Sequence, residues 1–264
     1  MNSKIIACLL TALCAISTTV IFAACDGNAC KHTFEDKWSF DRTNHWHAAT
    51  CEHIYEKKDN GAHSYDGDVC SVCGFDKNWT MGLEYSKTEG GGYTVRGIGE
   101  ATLQDGKLVI PSTHLGEPVD TISIYAFTEN TDIKSVKIPA SIKKTCHSAF
   151  LKCFNLESVI FEGDEMEFEA SAFSNCEKLE EVILPDGVTE LPDHLFYGCS
   201  SLNKMSIGGK VNYIGNHALT HCLALNEIQF RGTLAQWNAV EKDESWFYSS
   251  EDIVVICTDG RVTE

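Results

Sequence analysis

Residues 30–75 hold the densest set of metal-ligating side chains in the chain: Cys30, His32, His45, His47, Cys51, His53, His63, Cys70 and Cys73. Cys70-x-x-Cys73 followed by Gly74 has the spacing of a tight turn that aims two thiolates at one ion, with the glycine relieving the turn. Zinc takes four nitrogen or sulfur ligands in a tetrahedron, and this segment has few aliphatic residues to hold it together otherwise. The expectation is at least one structural zinc, held by four ligands drawn from Cys51, His53, His63, Cys70 and Cys73. Cys51, His63, Cys70 and Cys73 complete one site, and His53 competes for a place in it. His45 and His47 alternate along a predicted strand and share a face, where they would serve a second ion or support the first. A disulfide from Cys51 to Cys70 or Cys73 is the competing reading for an exported chain. A catalytic zinc is not expected, because four good ligands close the site and no Glu base stands beside them.

Other chemistry is sparse. No Gly-x-Ser-x-Gly elbow is present, and Gly90-Gly91-Gly92 is followed by neither Lys-Ser/Thr nor a helix, so it reads as a hairpin turn rather than a phosphate loop. His147, His194, His217 and His221 fall in turns without a matching carboxylate, and Cys146 and Cys257 have no adjacent base. An enzyme is not expected. The formal net charge is −17, and losing Lys4 with residues 1–24 makes it −18. That balance excludes nucleic acid and anionic lipid surfaces as partners, since both need clustered Lys and Arg.

The elements behind these residues are set by a repeat. Phe127, Phe150, Phe173, Phe196 and Leu219 recur every 23 residues, and Cys153, Cys176, Cys199 and Cys222 stand three positions after the last four. Ile133, Leu156, Leu179, Leu202 and Leu225 form a further column. Two more follow: Val136/Val159/Val182/Met205/Ile228 and Ile138/Phe161/Leu184/Ile207/Phe230. The last two alternate with period 2, which predicts a short strand with one buried face in every coil. One coil cannot bury that face alone, so the coils must stack. The predicted fold is a β-rich solenoid with a parallel sheet built from 23-residue coils.

In each strand the residue between the buried columns points outward: Lys137, Ile160, Ile183, Ser206 and Gln229. Ser135, Ser158, Glu181, Lys204 and Glu227 flank it on one side, and Pro139, Glu162, Pro185, Gly208 and Arg231 on the other. Two isoleucines side by side with a charged rim including Glu162 and Glu181 would make a ligand-binding face. The cysteine column is expected to hold buried, reduced thiols.

Units such as AFSNCEKLEEVILPDGVTELPDHLFYGCSSLNKMSI resemble the BspA-type leucine-rich repeats of bacterial surface proteins. That resemblance covers about the last two-thirds of the chain. It implies a leucine-rich-repeat solenoid, export to the cell surface, and adhesion or binding of a protein ligand from a host or the envelope rather than catalysis. A structural spacer in the cell envelope, or a docking module for an enzyme partner, are the alternatives. The chain departs from the repeat at Thr145, where other coils have Ile122, Phe168, Leu191 and Ile214, and at Asn130 in the cysteine column. Residues 30–75 are similar to short zinc-ribbon-like segments that precede such repeats, with Cys51-x-His53 in place of a Cys-x-x-Cys pair.

The remaining boundaries follow. Met1–Ala24 carries Lys4 and then a charge-free apolar run, a signal-peptide pattern. Phe22-Ala23-Ala24-Cys25 resembles a bacterial lipobox, which implies lipidation at Cys25 and a membrane-anchored lipoprotein facing outward. An uncleaved anchor is the alternative. The expected layout is a signal peptide at 1–24, a zinc-ribbon-like module at 25–77 and a hairpin linker with N-terminal cap at 78–121. Leucine-rich repeats at 122–232 and a C-terminal cap at 233–264 complete it. That last cap should open with a Thr233–Gln236 capping box and lid the core with Trp237 and Trp246.

Overall fold

Each coil buries its apolar stripe only against its neighbours, and the computed structural model, which describes residues 34–40, 42–49, 57–248 and 252–264, shows how. The chain winds into a β-solenoid of about seven turns. Seven strands run parallel in one sheet: Lys107–Val109, Ser135–Ile138, Ser158–Phe161, Glu181–Ile183, Lys204–Gly208, Glu227–Arg231 and Val254–Cys257. Gly260–Thr263 adds an antiparallel edge. Val136 lies opposite Val159, Val182 opposite Met205 and Met205 opposite Ile228, so the 23-residue offset of the sequence is the register of the sheet. Ile228 pairs with Val255, four residues further on, because the last coil carries an extra helix.

The buried columns form one continuous core. Phe161 is its exception: it is half-buried and packs edge-on against Phe168 and Phe173. Pro139, Pro185 and Gly208, expected to point outward, are buried instead. The chain has left the sheet at Pro139 and Pro185, while Gly208 stays in its strand opposite Arg231 and has no side chain to expose. Phe127, Phe150, Phe173 and Phe196 stack through the rod with ring centroids 5.0, 5.1 and 5.6 Å apart.

The side of the coil carrying these phenylalanines is held by an unusual backbone. Residues two before and two after the anchor have positive φ in every coil: Tyr125, Ser148, Ser171, His194 and His217, then Glu129, Lys152, Asn175, Gly198 and His221. Such a conformation costs a non-glycine residue about 1–2 kcal/mol. It is offset because it turns alternate N–H groups toward the next coil. Ser148, Phe150 and Lys152 donate to the carbonyls of Ala170, Ala172 and Ser174, and the pattern repeats along the rod. The cysteine column adds to this side: the thiols of Cys153, Cys176, Cys199 and Cys222 donate to the carbonyls of Phe127, Phe150, Phe173 and Phe196 at 3.1–3.2 Å.

At the N-terminal end the hairpin Glu84–Lys87/Tyr93–Gly97 pairs with Glu117–Ile122, placing Val95 beside Ile122. At the other end Thr233 and Gln236 form a reciprocal capping box for the helix Leu234–Asn238, and Trp237 sits fully buried against Phe230 and Trp246. The upstream module is separate in kind. Phe34–Phe40, Asn44–Ala49 and Lys57–Ala62 form an antiparallel sheet, followed by the hairpin Tyr65–Asp66/Val69–Cys70. Thr80 joins module to solenoid, exchanging hydrogen bonds of 2.8 Å with Val109.

Candidate functional site

Three groupings of side chains emerge from this scaffold. The first lies in the N-terminal module. The hairpin closes with Gly74 N–H donating to the Cys70 carbonyl, and Gly74 has φ 75°, a turn that puts both sulfurs of Cys70 and Cys73 on one side. His45, on the middle strand, pairs with Gly61. The imidazole lies across the neighbouring strand there, and a Cβ at Gly61 would stand in ordinary contact with it, 3.5 Å from His45 Nε2. His63 follows that strand directly and stacks on Phe75 at 4.7 Å. The result brings His45, His63, Cys70 and Cys73 together, with their ligand atoms all within 4.8 Å of one another. Cys70 Sγ is 3.8 Å from His45 Nδ1, and Cys73 Sγ is 3.4 Å from His63 Nδ1.

Cys70 and His45 are buried, and the two thiols differ sharply. Burial raises the Cys70 thiol, but backbone N–H groups of Cys73, Val72 and Ser64 and the His63 ring outweigh it and bring it down to about 5. Burial pushes Cys73 up to about 11, with the adjacent Cys70 sulfur adding to the rise. Of the ligands expected from sequence, His63, Cys70 and Cys73 converge, while Cys51 and His53 lie outside the described residues, as do Cys30 and His32. His45 enters from a strand 25 residues upstream of Cys70, which spacing alone assigned to a second ion or a supporting role. His47 stacks on Trp38 at 4.0 Å and lies 3.9 Å from Asp59.

The second grouping is the outer face of the main sheet. Ile160 and Ile183 are 57% and 58% exposed. Ser158 lies opposite Glu181, and that register sets the two isoleucines side by side on neighbouring strands. Lys137 pairs with Glu162 at 2.6 Å along one margin. Along the other, Ser206 and Gln229 continue the outward row, and Glu181, Ile183, Lys204, Ser206, Glu227 and Gln229 line a shallow depression of about 310 Å³. Arg231 reaches back across two coils, 2.7 Å from Asp186 and donating to Ser206 Oγ and the Leu184 carbonyl. That brace links three neighbouring coils beside the C-terminal half of the face.

The third grouping was not singled out as a cluster from sequence. His194 and His217 are one repeat apart, with ring centroids at 5.2 Å, and Tyr197 lies 5.2 Å from His221. With Phe247 and Tyr248 they line a cleft on the turn side of the last coils. The 23-residue spacing of the two histidines is the signal that could have found it. Elsewhere, burial and then the Glu169 carboxylate raise the Cys146 thiol, the opposite of nucleophile activation. Cys25 and the apolar run before it lie outside the described residues, and no described helix is long and apolar enough to cross a membrane.

Comparison with known proteins places this scaffold. Among solved structures, a leucine-rich cell surface protein from Faecalibacterium prausnitzii is 30% identical with a TM-score of 0.54, over 61% of this chain and 41% of that one. The chain therefore spans less than half the length of that relative. The leucine-rich repeat protein of T. pallidum shares the fold at 21% identity and a TM-score of 0.52, over 67% of this chain and 83% of the other. No curated protein matches. The model of the BspA-type leucine-rich repeat region matches six copies across residues 112–253, more than half of the sequence, and the chain belongs to that family.

Proposed function

We propose that this chain is an exported bacterial surface protein, anchored through a lipid on Cys25, that binds a protein partner on the outer face of its main sheet. Family membership and the cell-surface relative support a surface protein with a role in protein interaction or adhesion. Proteins built from leucine-rich repeats are generally binding or scaffold proteins, and the raised Cys146 thiol gives no support to covalent catalysis.

The observation that carries the reading is the pair Ile160 and Ile183. Both are more than half exposed, adjacent on hydrogen-bonded strands, and bordered by the Lys137–Glu162 pair and Glu181. An envelope spacer needs only a polar outer face, whereas an apolar centre with a charged margin is how binding patches are built. A complementary partner presents apolar side chains flanked by basic ones. Burying the exposed parts of the two isoleucines supplies roughly 2 kcal/mol, about thirtyfold in Kd. The test is a capture experiment from envelope and host-cell fractions, comparing the wild-type protein with Ile160→Asp/Ile183→Asp. The double variant should keep its unfolding midpoint, since neither side chain supports the core, and should lose the proteins captured by the wild type. A folded double variant that captures the same proteins equally well would refute this face as the binding surface.

A further inference from the structure

We infer that His45, His63, Cys70 and Cys73 hold one zinc ion in a closed, structural His2Cys2 site, with His45 rather than Cys51 or His53 as the fourth ligand. Bonds of about 2.0–2.3 Å in a tetrahedron place ligand atoms roughly 3.3–3.8 Å apart. The two imidazole–thiol separations, 3.4 and 3.8 Å, have this scale, and the full set lies within 4.8 Å. Two independent thiol–imidazole hydrogen bonds would explain each short distance. They give no reason for both pairs to converge on one point, as the four ligand atoms do.

The chemistry of the donors selects the metal. Two imidazoles and two thiolates are the borderline-soft set that favours zinc over magnesium or calcium, which want oxygen. Two thiolates neutralise a divalent ion, so the burial of Cys70 and His45 does not strand a charge. Four protein ligands leave no open position for water or substrate, and the site is therefore structural.

The aromatic shell fixes the rings. Trp38 meets His45 edge-on at 4.7 Å, and Phe75 stacks on His63. The ligands come from the middle strand, from the residue just past the third strand, and from the terminal hairpin. One ion thus ties the sheet to the hairpin. The module needs such a tie, because Phe75 is its one large, fully buried side chain among the described residues.

The experiment is metal analysis of the purified full chain, with cobalt(II) substitution as a spectroscopic readout. The wild type should carry about one zinc per chain, and its cobalt form should show the intense visible bands of tetrahedral coordination with thiolate charge transfer. His45→Ala should lose the ion, and His45→Cys, which restores a ligand, should regain it. Cys51→Ala and His53→Ala should keep full stoichiometry. Loss of zinc in either of those variants, with retention in His45→Ala, would overturn the assignment of the fourth ligand. Metal-free protein with Cys70 or Cys73 found in a disulfide would overturn the site. The His45→Ala and His45→Cys pair guards against simple misfolding, since only a ligand role predicts rescue by a thiol.

Discussion

Removing the Phe173 ring tests how the rod is held together. Phe173 is fully buried, sandwiched between Phe150 at 5.1 Å and Phe196 at 5.6 Å, and met edge-on by Phe161 and Phe168. Phe173→Ala deletes the ring but keeps the main chain, whose N–H still donates to Leu195 and whose carbonyl still accepts the Cys199 thiol. The loss is therefore one of packing, about 3–5 kcal/mol for a phenylalanine truncated in a core that cannot collapse around it. Collapse is opposed here because coil spacing is fixed by hydrogen-bonded strands on both sides of the ring. Against a total of about 5–15 kcal/mol, this is a large fraction. With a urea m-value of about 2 kcal/mol/M, the midpoint should fall by roughly 2 M. Position matters as well as size. In a stack where each coil touches only its neighbours, a weakened central interface uncouples the two ends. Equilibrium unfolding of Phe173→Ala should then broaden or split into two steps in the far-ultraviolet signal. Phe161→Ala, at the half-buried exception in the column, is the control and should cost clearly less. A loss below about 1 kcal/mol for Phe173→Ala, or equal losses for the two variants, would refute the picture of a continuous aromatic spine.

Two further outcomes follow from the same structure. Burial pushes the thiols of Cys153 and Cys222 up to about 12 and raises Cys176 and Cys199 well above their ordinary value, so all four should resist alkylation at pH 8 until the protein is unfolded, with half-buried Cys146 labelling before any of them in peptide mapping. Lys144 lies 2.7 Å from Glu169 and holds its carboxyl below the ordinary 4.5, with the His147 N–H assisting, while Lys144 itself is raised above 10.5. The pair's contribution is therefore present between those values, lost as pH falls below 4.5 and again above 10.5. The stability gap between wild type and Lys144→Met should be small, since both groups are more than a third exposed, and should close in acid.

How much of this was legible in the sequence follows from what each interaction needs. The main sheet was readable because its register equals the repeat: Val136, Val159 and Val182 announce a buried column by type alone, and neighbouring coils supply the same residue to the same place. The left-handed turns were not, because Tyr125, Ser148, Ser171, His194 and His217 share no residue type that favours positive φ. Of the ten positions only Gly198 is a glycine. What they share is a main-chain hydrogen bond to the next coil, and such a bond leaves no mark on side-chain composition. The candidate metal cluster fails in the opposite way. Cys70 and Cys73 are local and were plain, but His45 reaches them through strand pairing with Gly61, a contact fixed by the register of an antiparallel sheet and not by distance along the chain.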